Sequence, residues 1–107
     1  MVPNTSCEEI KQRLDDGDDV MLLDVREVSE HQFCRIDGSV HIPMNEIPGR
    51  MSELDPDKEI VVVCHHGARS FQVASYLKVN GFDNVINLAG GIDAWSLSVD
   101  PDVPRYG

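Results

Sequence analysis

Short runs of hydrophobic residues alternate along the chain with segments whose hydrophobic residues recur at helical spacing. The runs lie at residues 20–23, 40–42, 60–63 and 84–88. Short apolar runs separated by helical patterns are typical of parallel strands whose two faces are covered by helices. The pattern therefore predicts an α/β fold, an open parallel sheet with helices on both faces.

Capping and breaking residues indicate where the helices begin and end. Ser6 with Glu9 forms a capping-box pattern, and Gly17 ends the helix that follows. Further helices are predicted at residues 28–33, 45–54 (interrupted at Pro48-Gly49), 70–80 and 92–97. Residues 100–104 contain two prolines and predict an extended tail, since proline cannot continue a helix.

Length and charge limit the classes of protein that fit. The 107 residues, 41% of them hydrophobic, predict a single domain over residues 1–107. A net charge of −10 argues against nucleic acid as a partner, because nucleic-acid binding needs a basic surface. No stretch approaches the ~18 apolar residues of a membrane span. The N-terminus lacks the pattern of a secretory signal, so we expect no membrane partner and a cytoplasmic location.

The cysteines and histidines match neither a disulfide framework nor a metal site. Cys7, Cys34 and Cys64 form no C-x-x-C pair, and an odd number without paired spacing argues against disulfides. His65 and His66 are adjacent, which suits two separate roles better than one zinc site. We therefore expect neither a metal nor a cofactor.

The segment richest in reactive residues directly follows the apolar run at residues 60–63. It reads Cys64-His65-His66-Gly67-Ala68-Arg69-Ser70. A loop between the carboxyl end of a strand and a helix is where an open parallel sheet binds ligands. Loop N–H groups and the helix N-terminus favour an anion and a thiolate, and Arg69 adds a charge suited to oxyanions. The alternative is a buried structural cysteine, a common role for this residue type.

The loop resembles the C-x-x-G-x-R-S active-site loop of the rhodanese-like sulfurtransferases. Three other stretches resemble segments of that family in the same order, namely Leu23-Asp24-Val25-Arg26-Glu27, Ile36-Asp37-Gly38-Ser39-Val40-His41-Ile42-Pro43 and Gly90-Gly91-Ile92-Asp93-Ala94-Trp95. The family's Gly-His before the isoleucine is replaced here by Cys34-Arg35. The resemblance extends from Thr5 to Trp95 and implies a five-stranded parallel sheet.

The resemblance also implies a reaction, in which Cys64 carries sulfur as a persulfide. The donor is a small anion such as thiosulfate, and the acceptor is cyanide, a thiol or a protein. The anion-binding loop comprises His65, His66, Gly67, Ala68, Arg69 and Ser70. The two histidines either add charge and hydrogen bonds at the rim or stack against the loop. Asp24 and Arg26 either support the site edge or form an ordinary surface pair.

Two other functions remain open. Cysteine-dependent phosphatases and arsenate reductases also use a cysteine, an N–H cradle and an arginine, but the phosphatase loop is one residue longer. The shorter loop from Cys64 to Arg69 leaves less room for a tetrahedral phosphate, which favours sulfur transfer. The second of these other functions is a sulfur-relay module, which carries sulfur for a partner protein with little turnover of its own.

Overall fold

The computed structural model describes residues 2–107, in which strands and helices alternate. The strands are β1 (Asn4–Thr5), β2 (Val20–Asp24), β3 (Val40–His41), β4 (Glu59–Val63) and β5 (Val85–Leu88). The α-helices are α1 (Cys7–Asp15), α2 (Val28–Phe33), α3 (Ile47–Arg50), α4 (Ala68–Val79) and α5 (Gly91–Ser98). In this part of the chain no helix has the length and apolar character needed to cross a membrane.

The strands form one five-stranded sheet in the order β1-β5-β4-β2-β3, and every pair is parallel. The central strand is β4, whose Val61 pairs with Leu22 of β2 and Ile86 of β5. The predicted open parallel sheet is confirmed. Since parallel strands end at the same edge, Cys64 after β4 lies beside the residues that follow β2 and β5.

Alternate residues of β4 pack on opposite faces of the sheet. Ile60 and Val62 share a core with Val73, Ala74 and Leu77 of α4. Val61 and Val63 face the other way, into a second core that contains Ile10 of α1 and Ile92 of α5, together with Trp95. These four of the five β4 residues are at most 1% exposed. Helices therefore cover both faces, as predicted, and Trp95 is a core residue.

The structure differs from the sequence predictions in three places. Strand β1 was not predicted, because two residues are too few to show a periodic pattern. Pro48-Gly49 lies inside α3 and does not interrupt it, since proline is tolerated in the first helical turn. The predicted helix at 45–54 instead breaks on both sides of α3, into 3₁₀ turns at Met44–Glu46 and Met51–Glu53. Residues 101–103 form a turn, so the predicted extended tail begins only after them.

Candidate active site

Cys64 lies immediately after β4, in the loop that leads to α4. Its side chain points into the curve of the loop, where the Gly67 N–H donates to Sγ at an N···S distance of 3.0 Å. Gly67 adopts φ +112°, a conformation that glycine reaches without a steric penalty. Cys64 is only 1% exposed. The loop thus encloses a sulfur atom and offers it a hydrogen-bond donor, an arrangement that stabilises negative charge on sulfur.

The N-terminus of α5 supports the loop from beneath. The Ile92 N–H donates to the Cys64 carbonyl at 2.8 Å, and the Asp93 N–H donates to the His65 carbonyl at 3.1 Å. Gly91 makes this approach possible, because a Cβ there would lie 2.5 Å from the His65 carbonyl oxygen and closer still to that of Cys64. Gly91 therefore allows close backbone contact between α5 and the cysteine loop.

Adding a methyl group at Gly91 is expected to disturb the loop. Gly91→Ala should lower kcat/KM for sulfur transfer about 100-fold, because the loop carbonyls must move to admit the Cβ. It should also lower the free energy of unfolding by about 2–4 kcal/mol, through the clash and the φ of +60°. Steady-state kinetics measures kcat/KM, and urea unfolding measures the free energy of unfolding. The matched control is Gly49→Ala, where a Cβ meets nothing within 4 Å. Equal, small effects of the two substitutions would contradict this role for Gly91.

A buried polar group fixes the beginning of α4. The Ser70 hydroxyl donates to Asn87 Oδ1, and Asn87 Nδ2 donates to the Gly67 carbonyl at 3.3 Å and to Asn4 Oδ1 at 2.8 Å. Ser70 is 0% exposed, so its hydroxyl lies beneath the loop and faces Asn87. Asn87 thus links Ser70 to the Gly67 carbonyl of the loop and to Asn4 of β1, whereas Ala68 is exposed.

Arg69 forms a bidentate ion pair with Glu30 of α2. Its two terminal nitrogens donate to the two carboxylate oxygens at 2.7 and 2.9 Å. The pairing raises the pKa of Arg69 and, chiefly through the hydrogen bond from Arg69, lowers the pKa of Glu30 to about 2. A smaller contribution to the raised pKa of Arg69 comes from Cys64. The guanidinium is thus held beside the cysteine loop by a carboxylate that sequence reasoning missed.

The two histidines have different surroundings. The ring of His65 is stacked on that of Tyr106 at a centroid distance of 3.9 Å, and its Nε2 lies 3.0 Å from the Tyr106 carbonyl oxygen. His66 is exposed, with Nδ1 4.0 Å from Asp93 Oδ2. The His65 ring is therefore stacked, but on Tyr106 of the C-terminal segment and not against the loop as predicted. His66 lies at the rim.

Asp24 and Arg26 form an ion pair that is almost wholly buried. Arg26 is 0% exposed, and its Nε and Nη2 donate to the Asp24 carboxylate at 2.9 and 2.6 Å. Nη2 also donates to the Cys34 carbonyl at 2.7 Å, and Nη1 donates to the Glu30 carbonyl at 3.2 Å. Burial opposes the charge of Arg26, but the hydrogen bonds outweigh it, and its pKa is raised. The alternative of an ordinary surface pair is wrong, since the pair anchors α2 from within.

Residues 6–98 match the family model of the rhodanese-like domain. The chain belongs to the rhodanese-like domain family. A protein named sulfurtransferase from Allochromatium vinosum is 43% identical over 107 residues, covering 100% of both chains. The putative sulfur carrier protein YrkF of Bacillus subtilis is 40% identical over 95 residues, which is 89% of this chain and 51% of YrkF.

Solved structures of rhodanese-like domains share this fold. The crystal structure of a rhodanese-like domain protein from Staphylococcus aureus superposes with a TM-score of 0.86 at 28% identity. The match covers 99% of this chain and 100% of that one. The five-stranded parallel sheet implied by the resemblance is thus shared by a solved member of the family.

Three residues that contact the loop of this rhodanese-like domain were missed by sequence reasoning. Glu30 lies in a short helix, Asn87 in β5 and Tyr106 near the end of the chain. Asn87 gave the clearest signal, as a polar residue in an otherwise apolar strand. Glu30 and Tyr106 gave none, because their contacts with the loop depend on the folded path of the chain.

Proposed function

We propose that this rhodanese-like domain is a sulfurtransferase that carries a sulfane sulfur on Cys64. The Cys64 thiolate attacks the outer sulfur of a donor such as thiosulfate. A new S–S bond forms to Cys64, the S–S bond of the donor breaks, and sulfite leaves with the bonding electron pair. The Gly67 N–H, 3.0 Å from Sγ, is the observation that carries the proposal, since it is aimed at the atom on which negative charge resides.

The second step returns the cysteine to its starting state. Cyanide or a thiolate attacks the outer sulfur of the persulfide. The Cys64 thiolate is the leaving group, and with cyanide the product is thiocyanate. Covalent catalysis thereby divides one transfer into two displacements at the same sulfur. In the thiolate the negative charge lies on Cys64 Sγ, and in the persulfide it lies on the outer sulfur, so the loop faces a negatively charged sulfur before and after each step.

The donor is attracted by local charge, against the net charge of −10 of the whole chain. Arg69, the exposed His66 and the N-terminus of α4 are the groups that favour an anion at this edge of the sheet. Arg69 is engaged with Glu30, so in this proposal it acts as a fixed charge beside the donor and anchors the loop. The other predicted loop residues, His65, Gly67, Ala68 and Ser70, contribute the backbone of the cysteine loop.

A second candidate is a sulfur relay, in which Cys64 accepts sulfur and passes it to a partner protein with little turnover on small molecules. The similarity to a protein named as a putative sulfur carrier favours it. Both functions require the same persulfide, and they differ in whether cyanide or thiols release sulfur at a steady rate. The domain extent of residues 1–107 and a cytoplasmic location remain predictions.

The reaction class is tested by offering two substrates to the same protein. We expect thiocyanate from thiosulfate and cyanide, and no hydrolysis of phenyl phosphate above background. The physical reason is the short loop, which leaves less room for a tetrahedral phosphate than for sulfur. Persulfide formation without turnover would favour the relay. Phosphate hydrolysis that depends on Cys64, with thiosulfate unchanged, would contradict both sulfur functions.

Arg69→Ala is expected to impair sulfur transfer far more than Arg35→Ala. Loss of Arg69 removes a charge near Cys64 and leaves the Glu30 carboxylate unpaired at the site, where it repels an anionic donor. We expect kcat/KM for thiosulfate to fall about 30- to 1000-fold. Arg35 is exposed and, within residues 2–107, donates only to the His31 carbonyl, at 3.3 Å, so its removal should have little effect. Equal losses in the two variants would place the anion elsewhere.

A further inference from the structure

The C-terminal segment, residues 100–107, returns to the active-site edge of the sheet. Val103 is buried in the core that contains Trp95, which fixes the start of the segment. Arg105 forms a salt bridge with Asp93, with Nε 2.9 Å from Oδ1, and Asp93 is the residue whose N–H donates to the His65 carbonyl. These two contacts place the next residue, Tyr106, over the loop.

Tyr106 contacts the loop and its supporting ion pair at once. Its ring is stacked on His65 with planes 8° apart. Its hydroxyl donates to Glu30 Oε2 at 2.7 Å, the same oxygen that accepts from Arg69, and accepts from Arg26 Nη1 at 3.2 Å. The phenol thus links the buried Arg26 to the Glu30–Arg69 pair.

The Glu30 carboxylate is fully occupied by donors. Oε1 accepts from Arg69 and from the Glu27 N–H at 3.0 Å, and Oε2 accepts from Arg69 and Tyr106. A carboxylate held by four donors has little freedom to rotate, so it presents a fixed surface to the guanidinium. Burial raises the pKa of Tyr106 to about 12, so the phenol keeps its proton at neutral pH and remains a donor.

We propose that Tyr106 is a positioning residue for sulfur transfer, which orients Arg69 beside Cys64 by holding the Glu30 carboxylate. This inference rests on the sulfurtransferase function proposed above. Tyr106 does not touch the reacting sulfur in this assignment. Tyr106 acts through Glu30 on the Arg69 guanidinium, the charge that the anionic donor meets when the donor binds.

The experiment compares two tyrosine-to-phenylalanine variants of the full chain. Tyr106→Phe removes only the hydroxyl and keeps the ring on His65, so the fold is retained. Tyr76→Phe is the matched control, because Tyr76 lies 40% exposed on α4 and is the only other tyrosine. Two quantities are measured, the KM and kcat for thiosulfate with cyanide, and the ¹H–¹⁵N heteronuclear NOE of the Arg69 Nε–H group without substrate.

In Tyr106→Phe we expect the NOE of Arg69 to fall and the KM for thiosulfate to rise about 3- to 10-fold, with kcat within about 2-fold. Tyr76→Phe should match the wild type in the NOE of Arg69 and in the KM and kcat for thiosulfate. An unchanged NOE in Tyr106→Phe would overturn the positioning role, and a lower NOE with unchanged KM would overturn its importance for the donor. If the wild type transfers no sulfur, the proposed function fails, while the NOE still decides whether Tyr106 orients Arg69.

Discussion

Replacing Cys64 with serine is expected to lower kcat/KM for sulfur transfer on the order of 10³-fold or more. The serine hydroxyl stays neutral at neutral pH and cannot accept sulfur as a persulfide. The substitution changes one atom of a buried side chain, and the Gly67 N–H retains an acceptor, so the fold should be preserved. Thiocyanate formation measures activity, and circular dichroism measures folding.

Cys7→Ser is the matched control for this prediction. Cys7 is 2% exposed, and burial raises its pKa to about 11, so it stays a thiol at neutral pH. Its Sγ lies 3.7 Å from the Gly91 carbonyl oxygen, in the core that contains Ile10 and Ile92. We expect its activity to lie within about 2-fold of the wild type, since it contributes no thiolate. Activity in Cys64→Ser above a tenth of the wild-type value would remove Cys64 from the mechanism.

Asp24→Asn is expected to lower the free energy of unfolding by about 3–5 kcal/mol. The amide keeps the shape of the side chain but leaves Arg26, which is 0% exposed, without its compensating charge. Because Arg26 anchors Cys34 and the Glu30 carbonyl, α2 should loosen as well. Urea unfolding with linear extrapolation measures the change.

Asp15→Asn is the control for the buried pair. Asp15 pairs with Lys11 at 2.7 Å, but both side chains are about half exposed, at 55% and 48%. Such a pair contributes little, so we expect a change of less than about 1 kcal/mol. A similar small change in Asp24→Asn would mean that the buried pair is not needed for stability.

The sequence was sufficient to predict the open parallel sheet, apart from β1, and the location of the cysteine at the end of β4. Residues 60–63 form the apolar part of β4, and a strand buried on both faces needs a continuous hydrophobic run, which is visible without the structure. The predicted helix at residues 28–33 has the bounds of α2. Local patterns of this kind depend only on periodicity and capping, so they can be read from one chain.

The contacts that orient the site could not be predicted in the same way. Glu30 reaches Arg69 across 39 residues of sequence, and Tyr106 reaches Glu30 across 76. Neither residue stands in a pattern that indicates its partner. The prediction that Arg69 adds a charge suited to oxyanions therefore lacked the carboxylate that holds it. The structure shows that this carboxylate is Glu30, which ties Arg69 to α2.

Incubation of the protein with thiosulfate, followed by intact mass measurement and peptide mapping, tests the central claim most directly. We predict the gain of one sulfur atom at Cys64, its removal by cyanide with release of thiocyanate, and no gain in Cys64→Ser. Failure of the wild-type protein to gain sulfur, or an equal gain in Cys64→Ser, would contradict the assignment of Cys64 as the sulfur-carrying residue.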